Sequence, residues 1–271
     1  SCTRRQLLKL GIAASAALAL QRLLEGSGLQ AFAQQTAKGR TKKNIVTEHD
    51  LVCGKGGDPA VLTRQVIERL GGMQRFVSRN AVVVIKPNMA WDRSPAYAGN
   101  TNPQVVAALV QMCYEAVAKR VNVFDNPCNA VQRVYENSGI RAAAQAAGAK
   151  VYFMDRWNFL NADLGPHSLM HGWPVYRDAL ECDTFINVPV LKQHGLTRLT
   201  LSMKNLMGVC GGVRGMIHVD IAKKLVDLTG FIAPDLTVID AYRVLLRNGP
   251  SGGNLEDVRE DRTICASADP Y

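Results

Sequence analysis

The chain has 271 residues, of which 47% are hydrophobic and 20% charged, with 23 Gly, 11 Pro and few aromatics. This is ordinary globular composition and excludes a disordered, fibrous or collagen-like chain. The formal net charge is +9, yet no dense Lys/Arg run with interleaved aromatics is present. That argues against nucleic acid and for an anionic small molecule or an acidic partner.

The first element in chain order is a targeting segment. Thr3-Arg4-Arg5-Gln6-Leu7-Leu8-Lys9 precedes an uncharged stretch from Leu10 to Leu20, and Ala31-Phe32-Ala33 follows. A charged start, a short apolar middle and a small-x-small site are the three parts of an export signal. The paired arginines make it resemble a twin-arginine signal, the type that carries folded proteins. Residues 1–33 are thus expected to be a signal segment, directing the protein to the periplasm or another extracytoplasmic space. A leader kept as a membrane attachment is the alternative. The apolar stretch falls well short of the about 20 residues needed to cross a bilayer, and nothing downstream is longer, so no transmembrane span is expected in the mature chain. Leaving out the four basic and one acidic side chains of this segment, the surplus is still +6. Residues 34–43 (QQTAKGRTKK) read as a basic linker, and 44–271 as one domain.

From there, strands and helices alternate. Asp58-Pro59 starts a helix over Val61–Leu70 that Gly71-Gly72 stops. Ala81–Ile85 reads as a buried strand. Asn102-Pro103 caps a helix running to about Arg120, with Val105, Val106, Leu109, Val110 and Cys113 on one face. Val121–Phe124 is a strand, Val131–Ala147 a helix and Val151–Met154 a strand. Asp155–Asp178, with Gly165-Pro166 and Trp173-Pro174, reads as a loop-rich insertion. A strand at Phe185–Val188, helices at about Leu199–Met207 and Ile217–Leu228, and strands at Leu236–Ile239 and Thr263–Ala266 complete the pattern. The alternation predicts an α/β fold: a largely parallel sheet flanked by helices in Rossmann-like layers, carrying one insertion.

Open parallel sheets bind ligands beyond the carboxyl ends of their strands. Those ends carry Lys86-Pro87-Asn88, Asp125-Asn126-Pro127, Asp155, Lys192-Gln193-His194, Asp240 and Asp269-Pro270. Their convergence on one rim predicts a mixed-charge site with Lys86, Lys192 and His194 as cations and Asp125 and Asp240 as anions. Asn187–His218 adds Arg198, Lys204, Arg214 and His218 with no acidic residue, and is punctuated by Gly208, Gly211, Gly212 and Gly215. Glycines admit an anion to backbone N–H groups and cations neutralise it, so Lys204, Arg214, Gly211 and Gly212 are assigned to an anionic ligand or cofactor. His194 titrates near neutral pH and is assigned proton transfer, together with Lys192 and Asp125. Asp125 and Asp240 are the pair that would hold a divalent metal. His167 and His171 have metal-pair spacing, but the flanking Gly and Pro residues read as a loop. The seven cysteines include no C-x-x-C, so no local iron–sulfur motif is present. Cys113 and Cys265 read as buried free thiols.

Taken together, Val84-Ile-Lys-Pro-Asn88, Asn100-Thr-Asn-Pro103, Asn187-Val-Pro-Val-Leu-Lys192 with His194, Ser202-Met-Lys-Asn-Leu-Met-Gly208 and Ala268-Asp-Pro270 resemble the DUF362 family across roughly residues 45–271. Some members carry a twin-arginine leader. The resemblance implies a redox association, and by motif matching it points to Lys86, Asn88, Lys192, His194, Lys204 and Asn205 as site residues. Many relatives add a ferredoxin-like segment with Cys-x-x-Cys repeats, for which this sequence has no counterpart. Family chains also tend to continue past Ala-Asp-Pro into another helix, so the domain is expected to be cut short at Tyr271.

The reading is an exported protein whose cleft binds an anionic substrate or cofactor, an oxidoreductase or another enzyme, with flavin or a divalent metal as the cofactors it admits. The alternatives are a non-catalytic accessory subunit of a periplasmic or membrane-bound redox complex, and a binding protein without turnover.

Overall fold

The computed structural model describes residues 35–271, and the leader read over 1–33 lies outside the described residues. In chain order the elements are β1 (Thr36–Ala37), β2 (Val52–Lys55), α1 (Pro59–Arg69), β3 (Val82–Pro87), α2 (Pro103–Glu115), β4 (Arg120–Val123), α3 (Val131–Asn137), α4 (Ile140–Ala146) and β5 (Lys150–Val151). They continue as β6 (Phe159–Ala162), β7 (Pro174–Tyr176), α5 (Arg177–Glu181), β8 (Thr184–Val188), β9 (Val190–His194), β10 (Arg198–Thr200), α6 (Ser202–Asn205), α7 (Ile221–Ile232), β11 (Leu236–Leu245) and β12 (Val258–Ser267).

The helices start where capping chemistry places them. Asp58 accepts from the Ala60 and Val61 N–H groups at 2.9 and 3.1 Å, and Asn102 accepts from Gln104 N–H at 3.0 Å, each followed by proline at the first helical position. β3 alternates its apolar residues between two layers. Val83 and Ile85 pack with Val66 and Ile67 of α1 and Val105 and Leu109 of α2. Val84 faces Leu228 and Ile232 of α7 together with Val175 and Tyr176 of the insertion. A strand buried on both faces needs this continuous apolar run, as expected for the interior of a parallel sheet.

The main sheet runs β10-β9-β11-β8-β3-β4-β5. Its centre is parallel, through the pairs β3–β4, β4–β5, β3–β8, β8–β11 and β9–β11. Antiparallel pairs β9–β10, β11–β12 and β12–β2 extend it. The mixed α/β sheet flanked by helices is therefore present, and the parallel strands direct their carboxyl ends toward one rim.

Several local expectations give way to the structure. The single helix read over Val131–Ala147 is two, because Gly139 takes a left-handed φ of 71° between α3 and α4. The helix read from Leu199 begins as β10, and only Ser202–Asn205 is α-helical. The helix read from Ile217 starts later, as α7, after a 3-10 turn over Arg214–His218. The loop-rich insertion folds a small sheet of β1, β6 and β7. Residues 36–43 are no linker, since β1 pairs with β6 and the Arg40 guanidinium reaches the buried Asp235 carboxylate at 2.7 Å. Cys265 is not a free thiol: β2 faces β12 with Cys53 opposite Cys265, and the two form a disulfide. Cys113 is free and buried. Among the described residues, no helix is long and apolar enough to cross a membrane.

Candidate functional site

At the carboxyl ends of β3 and β4 two buried charges meet. Lys86 closes β3, Asp125 follows β4, and Nζ lies 2.9 Å from Oδ1 with both side chains almost wholly shielded. Asp125 also accepts from the N–H groups of Met89 at 2.7 Å and Asn126 at 2.9 Å. Lys86 donates to Asn205 Oδ1 at 2.9 Å, and the Asn205 amide donates in turn to Lys86 O and to Asn187 Oδ1. Burial draws the Lys86 ammonium below its ordinary pKa, and the Asp125 carboxylate opposes that shift. Gly208 passes directly behind the pair. A Cβ there would lie 1.9 Å from Asp125 Oδ1 and 2.3 Å from Lys86 Nζ, so no other residue fits without moving the charges.

The second buried lysine stands differently. β9 alternates buried and partly exposed residues, directing Val190, Lys192 and His194 inward. Lys192 donates to Gly99 O at 2.5 Å and to Asn88 Oδ1 at 3.2 Å, and no described carboxylate lies within ion-pair distance of it. Burial, augmented by Lys204 and Lys86, pushes it down to about 7. Lys204, on α6, is pushed down to about 8, first by burial and then by Arg214 and Lys86. Arg214, in the turn before α7, donates to Pro127 O at 3.0 Å and reaches Cys128 Sγ at 4.0 Å.

Two imidazoles complete the wall. His194 Nδ1 accepts from the Leu196 and Thr197 N–H groups at 3.2 and 3.3 Å, which leaves the proton on Nε2. Burial, then Lys204, His218 and Lys192, hold this ring down at about 4. His218 stacks on it at 5.6 Å between centroids. Its Nδ1 donates to Gly215 O at 3.1 Å, while Nε2 is buried with no partner among the described residues. Thr200 faces Lys192 across the β9–β10 pair, and its hydroxyl is likewise buried and unpartnered. All these groups line one cavity of about 400 Å³, with Trp91, Leu196 and Met207 supplying apolar wall.

The structure thus brings together Lys86, Asn88, Asp125, Lys192, His194, Lys204, Asn205 and Arg214. It separates others. Asp240 does not line the cavity. Its oxygens accept from Asn102 N–H at 2.6 Å and Tyr242 N–H at 3.0 Å, tying the start of α2 to β11, and burial pushes it up to about 6. The Asp125–Asp240 metal pair is therefore not formed. Among the described residues no group of three or more His, Cys, Asp or Glu could hold a metal ion. Gly211 and Gly212 do not cradle an anion either: they pack against Phe159 and Pro174 of the insertion. His194 is a neutral donor at physiological pH, not a cation, because three positive or ring neighbours and burial oppose its protonation. Asp155, expected at a strand end, instead caps the turn that follows it, accepting from Trp157 N–H at 2.9 Å.

Thr200 was invisible to sequence reasoning, since nothing in a lone threonine marks an unpartnered hydroxyl. Gly208 ends the Ser202–Gly208 motif, but its steric role arises only where the fold brings it against Lys86 and Asp125.

The Lys192 environment has a measurable consequence. The unfolded chain holds this proton up to the ordinary lysine value of 10.5, whereas the folded chain releases it near 7. Between those values the unfolded state binds more protons, so stability rises with pH, by about 1.4 kcal/mol per unit for one such group. Lys192→Met is expected to flatten the rise by that slope in denaturant titrations between pH 7 and 10. An unchanged slope would show that Lys192 titrates normally.

Comparison with known proteins places these observations among relatives. Residues 83–271 match the family model described as domain of unknown function DUF362. A thylakoid-associated protein from Synechocystis sp. is 32% identical over 218 residues, covering 77% of this chain and 65% of that protein. This chain thus spans just under two thirds of that relative's length. Among solved structures, a Thermotoga maritima protein matches with a TM-score of 0.40 and 12% identity, over 72% of this chain and 54% of its own. The lactate racemase apoprotein from Thermoanaerobacterium thermosaccharolyticum matches with a TM-score of 0.42 and 10% identity, over 77% of this chain and 55% of its own.

Proposed function

The chain belongs to the DUF362 family, and within it we propose that the strand-end cavity binds a small anionic molecule and moves a proton on it. Lys204 and Arg214 hold the anion. Lys86 is committed to Asp125 and adds positive potential without being free to bind. Of the three residues that the sequence marks for proton transfer, His194, Lys192 and Asp125, it is Lys192, pushed to about 7, that takes the acid–base role. His194 serves as a fixed neutral donor through Nε2.

One observation carries this reading: four basic side chains share the cavity with a single carboxylate, and two buried polar atoms, Thr200 Oγ1 and His218 Nε2, lack partners among the described residues. Buried polar groups are ordinarily satisfied, so this pair supports a ligand with hydrogen-bonding atoms of its own. A charge-assisted hydrogen bond contributes about 1.5–3 kcal/mol. Arg214→Gln and Lys204→Gln should therefore each weaken binding of small carboxylates or phosphates by about tenfold or more in titration calorimetry. A panel of such anions that binds no better to the native protein than to these variants would remove the reading.

Export is part of the same proposal. The Cys53–Cys265 disulfide suits an oxidising compartment, in keeping with the leader motif. Fractionation of the expressing cells, with and without a functional twin-arginine pathway, tests it: protein outside the cytoplasm in both cases, or in neither, counts against this route.

A further inference from the structure

We propose that Lys192 forms a Schiff base with the carbonyl carbon of a small 2-oxo carboxylate held in the cavity by Lys204 and Arg214. This rests on the reading of the cavity as an anion site, adds a substrate class, and gives Lys192 a covalent step in place of the acid–base role.

The two buried lysines of the cavity are built for different work. Lys86 has a carboxylate at 2.9 Å, which favours its ammonium form. Lys192 has two neutral acceptors, Gly99 O and Asn88 Oδ1. A neutral amine has two N–H bonds and one lone pair. Two acceptors absorb both N–H bonds, and the remaining tetrahedral position is left for the cavity that Lys192 lines. Removal from water and the presence of a second cation are the two conditions that turn a lysine into a nucleophile; here Lys204 and Lys86 supply the second.

The surroundings fit the reacting oxygen. Thr200 Oγ1, across the strand pair from Lys192, is buried and has no partner among the described residues. His194 Nε2–H donates, and His218 Nε2 accepts. The Lys192 lone pair forms the C–N bond while the carbonyl π pair moves onto oxygen, toward the His194 N–H. One nitrogen proton passes to that oxygen, giving a carbinolamine, with His218 Nε2 and the Thr200 hydroxyl as the available relays. The C–O bond then breaks, and the oxygen departs as water with the second nitrogen proton, leaving C=N. One water is released and nothing is oxidised or reduced. The guanidinium of Arg214 and the ammonium of Lys204 favour a carbonyl compound bearing a carboxylate over a neutral one.

The test is trapping with pyruvate and sodium cyanoborohydride at neutral pH, read by peptide mass mapping of the native chain. One reduced adduct per chain is expected on Lys192, formed on the order of a hundredfold faster than on any surface lysine, because far more of it is neutral. Arg214→Gln should slow labelling by pyruvate but not by acetone. Calorimetric binding of pyruvate with no adduct on Lys192 overturns the covalent step and leaves the anion reading intact. Failure of pyruvate and the wider anion panel to bind overturns both. Equal labelling by acetone and pyruvate overturns the substrate class.

Discussion

Asp125→Ala is expected to cost the protein about 3–5 kcal/mol of stability, the range for removing one partner of a buried ion pair. The carboxylate is 2% exposed and the ammonium it neutralises 1%, so in the native fold each charge is stabilised by its partner rather than by bulk water. Lys86 is left either carrying an unpaired charge or shedding its proton, and both are unfavourable. Two backbone donors, Met89 N–H and Asn126 N–H, lose their acceptor as well. The double variant Lys86→Met with Asp125→Leu should recover much of the loss, because apolar groups of similar size need no neutralisation. Urea unfolding of the two single variants and the double variant measures this coupling. Single and double variants that lose stability additively would mean the pair is not coupled as the geometry requires.

Gly208→Ala is the second large effect. Its methyl group would lie 1.9 Å from Asp125 Oδ1 and 2.3 Å from Lys86 Nζ, and Gly208 O accepts from Asn126 N–H at 3.0 Å, which limits retreat of the backbone. Overpacking of this kind costs about 1–3 kcal/mol. Here it also forces apart the two charges that shape the cavity floor, so anion affinity should fall with stability. Gly215→Ala is the matched control: a Cβ there meets nothing within 4 Å, and a change of no more than about 0.5 kcal/mol is expected. Similar stabilities for the two alanine variants in thermal unfolding would remove the steric argument.

The parts of the site legible in the sequence are those that depend only on where strands end. Lys86 and Asp125 follow short apolar β-branched runs, and parallel strands gather their ends, so their meeting could be anticipated. The gaps have physical causes. β9 is missing from the strands that the sequence pattern predicts, because Lys192 and His194 are polar at the positions where a buried strand normally carries apolar residues. The ordinary pKa of histidine predicts a charge on His194, but burial and cationic neighbours are properties of the fold. Asp240 looked like Asp125 in sequence, and only the backbone donors of Asn102 and Tyr242 separate their roles. Cys53 and Cys265, 212 residues apart, become partners only through the antiparallel β2–β12 pairing. Gly139 falls inside the helix that the sequence pattern predicts, and its positive φ is what divides that helix in two.

β9 carries Lys192 and His194 on the same side because they are two residues apart. Parity is therefore a constraint on how this chain can diverge. One residue gained or lost between Lys192 and His194 would put the two on opposite faces and rotate one of them out of the cavity, whereas a gain of two would keep both facing in. Lengthening or trimming the turn at Pro250, which also lines the cavity, carries no such parity constraint, so variation in ligand size has room to accumulate there while the chemistry of the floor stays in place.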